Sequence, residues 1–272
     1  MSDKERVRAT WAAGDFPAVA RTTIPSVGPA LVAAARVRTG DRVLDVGAGS
    51  GATSIPAALA GGDVVASDLT PELLAAGRSA AVAAGVALEW VEADAEALPF
   101  ADASFDVVLS SFGAMFAPDH AAVAGELVRV ARPGGTIAMA NWRPGGWVAE
   151  MFMTQAAFLP APPAGFQPPI LWGDEEHVRA LFAERVAALT FTPAVQVLDA
   201  FAGPRELVEF YKANFGPTIM AFRALEGEPE RAAELDAALL AFAERTNAAA
   251  ADAGAGGARY ELEYVLVVGT RS

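Results

Sequence analysis

The chain has 272 residues, 53% of them hydrophobic, with no cysteine and a formal net charge of −13. A chain of this length buries a substantial core, as one large domain or a domain with a cap. The acidic balance excludes a nucleic-acid backbone as the main partner, and the missing cysteines exclude disulfides and thiolate chemistry. No apolar run approaches the roughly 20 residues that span a bilayer, and no leader pattern opens the chain, so a soluble cytoplasmic protein is expected. Lysine is confined to Lys4 and Lys212 while arginine, alanine, glycine and proline abound, the usage of a GC-rich bacterial genome.

Residues 1–39 read as an N-terminal helical flap in two pieces, 4–12 with Val7 and Trp11 on one side, and 25–37 opened by a proline. Gly14-Asp15-Phe16-Pro17 reads as the turn between them. From residue 42 the pattern alternates: strand 42–46, helix 52–60, strand 63–67, and helix 71–84 with Thr70 as N-cap and Pro71 at its first position. Strands follow at 87–91 and 105–110, then a helix at 120–131 behind Asp119, the turn Arg132-Pro133-Gly134-Gly135, and a strand at 136–141. Short apolar strands alternating with helices predict a doubly wound, mostly parallel sheet, with its ligand at the carboxyl ends of the strands.

The character changes after residue 141. Residues 145–173 hold Trp147, Phe152, Phe158, Phe166 and Trp172 with five prolines between Pro160 and Pro169, which excludes a single helix. A helix at 175–185 capped by Asp174, a long strand at 187–201, helices at 204–215 and 231–249, a glycine and alanine linker at 252–258 and a closing strand at 260–270 complete the chain. About sixty residues of helical insertion thus separate the last two strands, far more than the usual connection of about five, and predict a substrate lid over about 204–252. The organisation expected is a flap at 1–39, a cofactor-binding core at 40–142 and a substrate-selecting region at 143–272.

The chemistry centres on Val43-Leu44-Asp45-Val46-Gly47-Ala48-Gly49-Ser50-Gly51. Gly47, Gly49 and Ala52 satisfy a dinucleotide fingerprint with Asp68 as the distal acid. Gly47, Gly49 and Gly51 also form a G-x-G-x-G turn behind Asp45, whose carboxylate repels a pyrophosphate and suits an ammonium group. The segment from Asp45 to Gly51 resembles motif I of the class I S-adenosylmethionine-dependent methyltransferases. Ala93-Asp94-Ala95 with Leu98-Pro99-Phe100, Ser104-Phe105-Asp106-Val107-Val108, and Arg132-Pro133-Gly134-Gly135-Thr136 resemble the later motifs of that family, in order. The wording is most similar to the ubiquinone and menaquinone biosynthesis type.

The resemblance implies a Rossmann-like fold of seven strands, S-adenosylmethionine as cofactor and S-adenosylhomocysteine as product. It implies that Asp45, Gly47, Gly49 and Gly51 hold the methionine end, that Asp68 accepts both ribose hydroxyls, and that Leu69 lies against the adenine. Asp94 would accept the adenine amino proton, with Ala95 and Ser110 beside the cofactor and Trp11 in a flap over it. The expected reaction is methyl transfer to oxygen, nitrogen or carbon of a small, largely apolar or aromatic metabolite. A quinone or lipid-like acceptor, or a non-catalytic cofactor-binding interaction protein, are the alternatives. Phe16, Phe112, Met115, Phe116, Trp142, Trp172 and Tyr211 are the acceptor-pocket candidates. His120, at a helix start that favours its neutral form, is the candidate base. His177, in a charged helix, reads as solvated. No histidine and carboxylate cluster has metal-ligand spacing, and Gly49-Ser50-Gly51 is no nucleophile elbow. The partner expected is a small molecule, with no nucleic acid and no stable membrane insertion, for a monomer or homodimer.

Overall fold

Val43, Leu44 and Val46 make the centre of a sheet because they are buried on both faces. Their strand, β1 (Arg42–Val46), pairs in parallel with β2 (Asp63–Asp68) on one side and β4 (Phe105–Ser111) on the other. With β3 (Glu89–Glu92), β5 (Ala131–Trp142), β6 (Val186–Phe201) and β7 (Ala258–Arg271), the sheet has seven strands in the order β3-β2-β1-β4-β5-β7-β6. β1 to β5 run parallel, and β7 lies antiparallel to β5 with Tyr264 opposite Trp142. The computed structural model describes residues 3–163, 165–251 and 257–272. Of the expected linker, 252–256 lie outside the described residues.

Two compact units divide the chain. The sheet unit comprises Pro25–Pro144, Gln167–Ala194 and Tyr264–Ser272. Its helices are α3 (Val27–Ala35), α4 (Ser54–Leu59), α5 (Pro71–Ala83), α6 (His120–Val130) and α8 (Glu175–Phe182). α3 packs on α4, β4 and β5, while α6 packs on α8 and β5. The α3 contact is close: a Cβ on Gly28 would come 2.7 Å from the Ala52 carbonyl carbon, so glycine is required there.

The helical unit comprises Met1–Ile24, Gly145–Phe166 and Val195–Glu263. It holds α1 (Asp3–Trp11), α2 (Phe16–Thr23), α7 (Trp147–Ala156), α9 (Pro204–Asn214), α10 (Gly216–Ala224) and α11 (Pro229–Arg245). Trp147 anchors it, donating from Nε1 to Thr246 Oγ1 at 2.9 Å and packing on Phe242, Tyr260 and Tyr211. Asp236 of α11 ties α9 down by pairing with Arg205 at 2.7 Å and Lys212 at 2.6 Å. No helix among the described residues is long and apolar enough to cross a membrane.

Several local expectations change. The turn expected at 14–17 opens α2 instead: Asp15 accepts the Ala18 N–H at 2.9 Å and Pro17 occupies the first turn, both helix-start features. The helix after the glycine turn begins at Ser54 and not at 52, because residues 51–53 remain in the turn. The start of the aromatic stretch 145–173 is α7, and α10 fills the gap left between the two expected lid helices. β5 begins at Ala131, so the Arg-Pro-Gly-Gly segment lies within the strand span, where the pairing with β4 shifts register.

Candidate active site

The carboxyl ends of β1, β2 and β4 converge on the glycine turn at 47–51. Gly47, Gly49 and Gly51 have φ of +67°, +55° and +87°, left-handed backbone that glycine adopts without strain. Gly47 is also fixed by space, since a Cβ there would come 2.7 Å from Gly113 Cα in the loop after β4. Gly49 donates its N–H to Asp68 Oδ2 at 2.8 Å, and Gly51 donates to the Ala48 carbonyl at 2.9 Å.

Asp45 is buried beneath this turn. The hydroxyl of Ser54, the first residue of α4, donates to its Oδ2 at 2.6 Å, and Oδ1 has no partner among the described residues. Burial pushes the Asp45 pKa up to about 7; the Ser54 hydrogen bond opposes this and the neighbouring Asp68 charge adds to it. A buried carboxyl oxygen without a donor is costly, and a cation bearing N–H donors supplies the missing bond and offsets the effect of burial by favouring the ionised form. The α-ammonium of an amino-acid moiety is such a group, so the donor set fits S-adenosylmethionine.

Asp68 ends β2. Its Oδ1 accepts the Thr70 N–H at 2.8 Å as Oδ2 accepts that of Gly49, and burial raises its pKa. A carboxylate oxygen has two acceptor positions, so each retains capacity for one hydroxyl. The Ala93 N–H donates to the Asp68 backbone carbonyl at 3.0 Å, which brings 93–95 alongside the end of β2. There Asp94 accepts the Glu96 N–H at 2.9 Å, and Leu69 and Ala95 are half-buried. The hydroxyl of Ser110, expected among the cofactor contacts, donates to the Val46 carbonyl at 2.7 Å and accepts the Ala114 N–H at 3.0 Å. It straps β1 to the turn at 114–116.

Phe112 and Trp142, at the carboxyl ends of β4 and β5, stack with ring centroids 3.7 Å apart and planes 3° from parallel. Tyr264 meets Phe112 edge-on at 6.0 Å. Phe112 has φ +54°, a left-handed conformation uncommon for an aromatic residue, and its N–H donates to the Ala140 carbonyl at 2.9 Å. Met115 and Trp172 are fully buried and Phe116 is half-buried. The Trp172 turn lies on the end of β5, where a Cβ on Gly173 would come 2.8 Å from the Trp142 carbonyl carbon.

The histidines differ from expectation. His120 is completely buried in α6, and His177 is half-buried against it, not solvated: His120 Nδ1 and His177 Nε2 are 2.9 Å apart. His120 also packs on Trp172 at 5.5 Å. Burial first, then the neighbouring His177, lowers the His120 pKa to about 4, and burial lowers that of His177. A base so weak and so enclosed is poorly matched to taking a proton at neutral pH. The contact joins helices fifty-seven positions apart in sequence, which no local pattern announces.

Trp11, Phe16 and Tyr211 belong to the helical unit. Trp11 packs edge-on against Phe16 at 5.2 Å and Phe215 at 6.0 Å. The Tyr211 phenol is bonded to Thr23, and burial raises its pKa. Tyr211 lines a cavity of about 20 Å³ with Trp147, Thr218 and Phe242, room for a single water. Sequence reading missed Ser54 and Gly113; a serine just inside the helix after the turn and a glycine just past β4 were the available signals.

An acid-bearing first strand, a glycine turn into a helix and a second acid ending the next strand, with an antiparallel last strand, define an enzyme of the Rossmann-like methyltransferase fold. The family model described as methyltransferase domain matches residues 44–139. An uncharacterized protein of Mycobacterium tuberculosis is 46% identical over 230 residues, 85% of this chain and 84% of that protein. A demethylmenaquinone methyltransferase of a Mycobacterium species is 41% identical over 110 residues, 40% of this chain and 45% of that one. The structure of a Haemonchus contortus phosphoethanolamine N-methyltransferase in complex with phosphomonomethylethanolamine and S-adenosylhomocysteine superposes with a TM-score of 0.53 at 17% identity, covering 90% of this chain and 52% of that chain.

The chain belongs to the class I S-adenosylmethionine-dependent methyltransferases. Its cofactor, S-adenosylmethionine, supplies when bound an electrophilic methyl group on a sulfonium sulfur. What remains for the chain is to hold the cofactor, orient the acceptor and keep water away.

Proposed function

We propose that the protein methylates oxygen, nitrogen or carbon of a small, largely apolar or aromatic metabolite. The observation that supports this reading is the buried aromatic cluster of Phe112, Trp142 and Tyr264, which begins one residue from the Gly113 contact with the glycine turn and would form a wall beside the cofactor. Such a wall favours flat, weakly polar acceptors, and it excludes water from a step in which the sulfonium charge disperses. Phe116 extends the rim, while Met115 and Trp172 back it from the core.

In this reading Asp45 takes the ammonium of the methionine moiety and Asp68 takes the ribose hydroxyls. Leu69 and Ala95 border the adenine and Asp94 accepts its amino proton. His120 serves packing and not proton transfer. The enzyme works in the cytoplasm as a monomer or homodimer, and its charge of −13 disfavours nucleic acid as a substrate.

The test is incubation with methyl-labelled S-adenosylmethionine and a panel of phenols, hydroquinones, aromatic amines and polar amines. Label in the flat, apolar members supports the reading; label in polar amines alone overturns it. A quinone-type acceptor is the second reading, favoured by the likeness to a demethylmenaquinone methyltransferase over 110 residues, 40% of this chain. Labelling of prenylated hydroquinones in preference to simple phenols would select it.

A further inference from the structure

Trp90 is an aromatic residue that the reaction as read so far does not use. It stands in β3, the outermost strand at its end of the sheet, in register with Ala66 of β2. Its half-buried indole occupies a slot between two glycines. A Cβ on Gly51 would come 2.8 Å from the indole Cη2, and a Cβ on Gly77 would collide with Cη2 and Cζ3 of the same ring. Gly77 lies inside the 13-residue helix α5, where glycine is destabilising relative to alanine. The passage of the ring over its Cα is the physical reason a side chain is missing there. A Cβ at Gly77 would also come 3.2 Å from the Ser50 carbonyl carbon, so helix, ring and glycine turn meet at one point.

Gly51 is where the turn becomes helix: its N–H donates to the Ala48 carbonyl at 2.9 Å, and its carbonyl accepts the Ile55 N–H at 3.0 Å. Three residues further on, Ser54 holds Asp45. Pressure on Gly51 therefore reaches both the backbone of the turn and the carboxyl group beneath it.

We propose that Trp90 is a positioning residue for the cofactor: its indole, wedged between Gly77 and Gly51, sets the place of the Ser50–Gly51 backbone and thereby the affinity for S-adenosylmethionine and S-adenosylhomocysteine. The inference rests on the cofactor assignment, and binding of S-adenosylhomocysteine by the unaltered protein is the control that separates failure of that assignment from failure of this one.

The experiment is calorimetric titration of the full chain with S-adenosylhomocysteine, in unaltered form and as Trp90→Ala, Trp90→Phe and Gly77→Ala, with thermal unfolding recorded for each. Loss of pre-organisation in the turn is expected to weaken binding by about tenfold in Trp90→Ala, with Trp90→Phe recovering to within about threefold. Gly77→Ala, which pushes the ring from the opposite side, should also bind more weakly. The fluorescence change on adding S-adenosylhomocysteine should shrink in Trp90→Phe, since the indole touches the turn. A purely structural role would lower the unfolding temperature and leave the affinity of the folded protein unchanged, and that result overturns the proposal. Should Trp90→Ala not fold, unchanged affinity in both Trp90→Phe and Gly77→Ala overturns it equally.

Discussion

Gly47 and Gly113 meet backbone to backbone, each lying where the other's side chain would have to go: a Cβ on either would come 2.7 Å from the other's Cα. Gly113 has an ordinary φ of −86°, so alanine is conformationally acceptable there and any loss is steric. Gly113→Ala should drive the loop after β4 away from the glycine turn. S-adenosylhomocysteine binding should weaken by about tenfold or more, with a lower unfolding temperature. Calorimetric titration and thermal unfolding read the two effects, and unchanged affinity would mean that the turn does not depend on this contact.

With Asp45 in its proposed role as acceptor of the cofactor ammonium, its raised pKa predicts a pH dependence of binding with a definite sign. Because the folded, ligand-free protein holds this proton more tightly than the unfolded chain, the contribution of Asp45 to stability declines as pH rises from about 4 to about 7. An incoming ammonium group favours the ionised form, so binding should release a proton below pH 7 and affinity should rise with pH up to about 7. Titrations at pH 6 in two buffers of different ionisation enthalpy would measure the release. Asp45→Asn should abolish it and weaken binding by about tenfold or more.

His120 carries the opposite sign. Its folded pKa near 4 lies below the ordinary 6.5, so its contribution is complete above pH 6.5 and is lost as pH falls toward 4. The slope is up to about 1.4 kcal/mol per pH unit for one proton. His177 and Asp119 are the titratable neighbours acting on it, the first lowering and the second raising its pKa. His120→Leu should flatten the acid limb of a stability profile measured by urea denaturation between pH 7 and 4.5. An unchanged slope would assign the acid sensitivity to other groups.

Ser110→Ala should remove both bonds of the strap, leaving the Val46 carbonyl and the Ala114 N–H without their partner. A loss of about 1–3 kcal/mol is expected from urea denaturation. A larger effect on S-adenosylhomocysteine affinity than on stability would instead indicate direct contact with the cofactor.

The parallel core was legible because β1, β2 and β4 are short apolar runs between turn residues, and because Asp45, the three glycines and Asp68 fall at strand ends and a turn that the local pattern marks. Helix starts with proline in the first turn were legible at Pro71 and Pro204 but missed at two others. Pro17 and Pro217 sit in α2 and α10, where proline is pre-organised for a helix, yet in sequence they look like breaks. α7 was hidden by the prolines that follow it. The pairing of His120 with His177, the slot for Trp90 and the stack of Phe112 on Trp142 arise from contacts between distant segments. A hydrophobic pattern records that such residues are buried but not which neighbour they meet.

The left-handed backbone of Phe112 bears on how this enzyme can change. An aromatic side chain at φ +54° is held against its own conformational preference by roughly 1–2 kcal/mol, while glycine or asparagine takes that shape readily. Most alterations of a buried aromatic cluster lose stability and need compensation elsewhere before they can be tolerated. At position 112 the strain relieved by glycine offsets only part of the roughly 3–5 kcal/mol that loss of a buried, stacked phenyl ring costs. A change there therefore recovers some of the stability that the lost ring contributed, which the same change at an unstrained position would not.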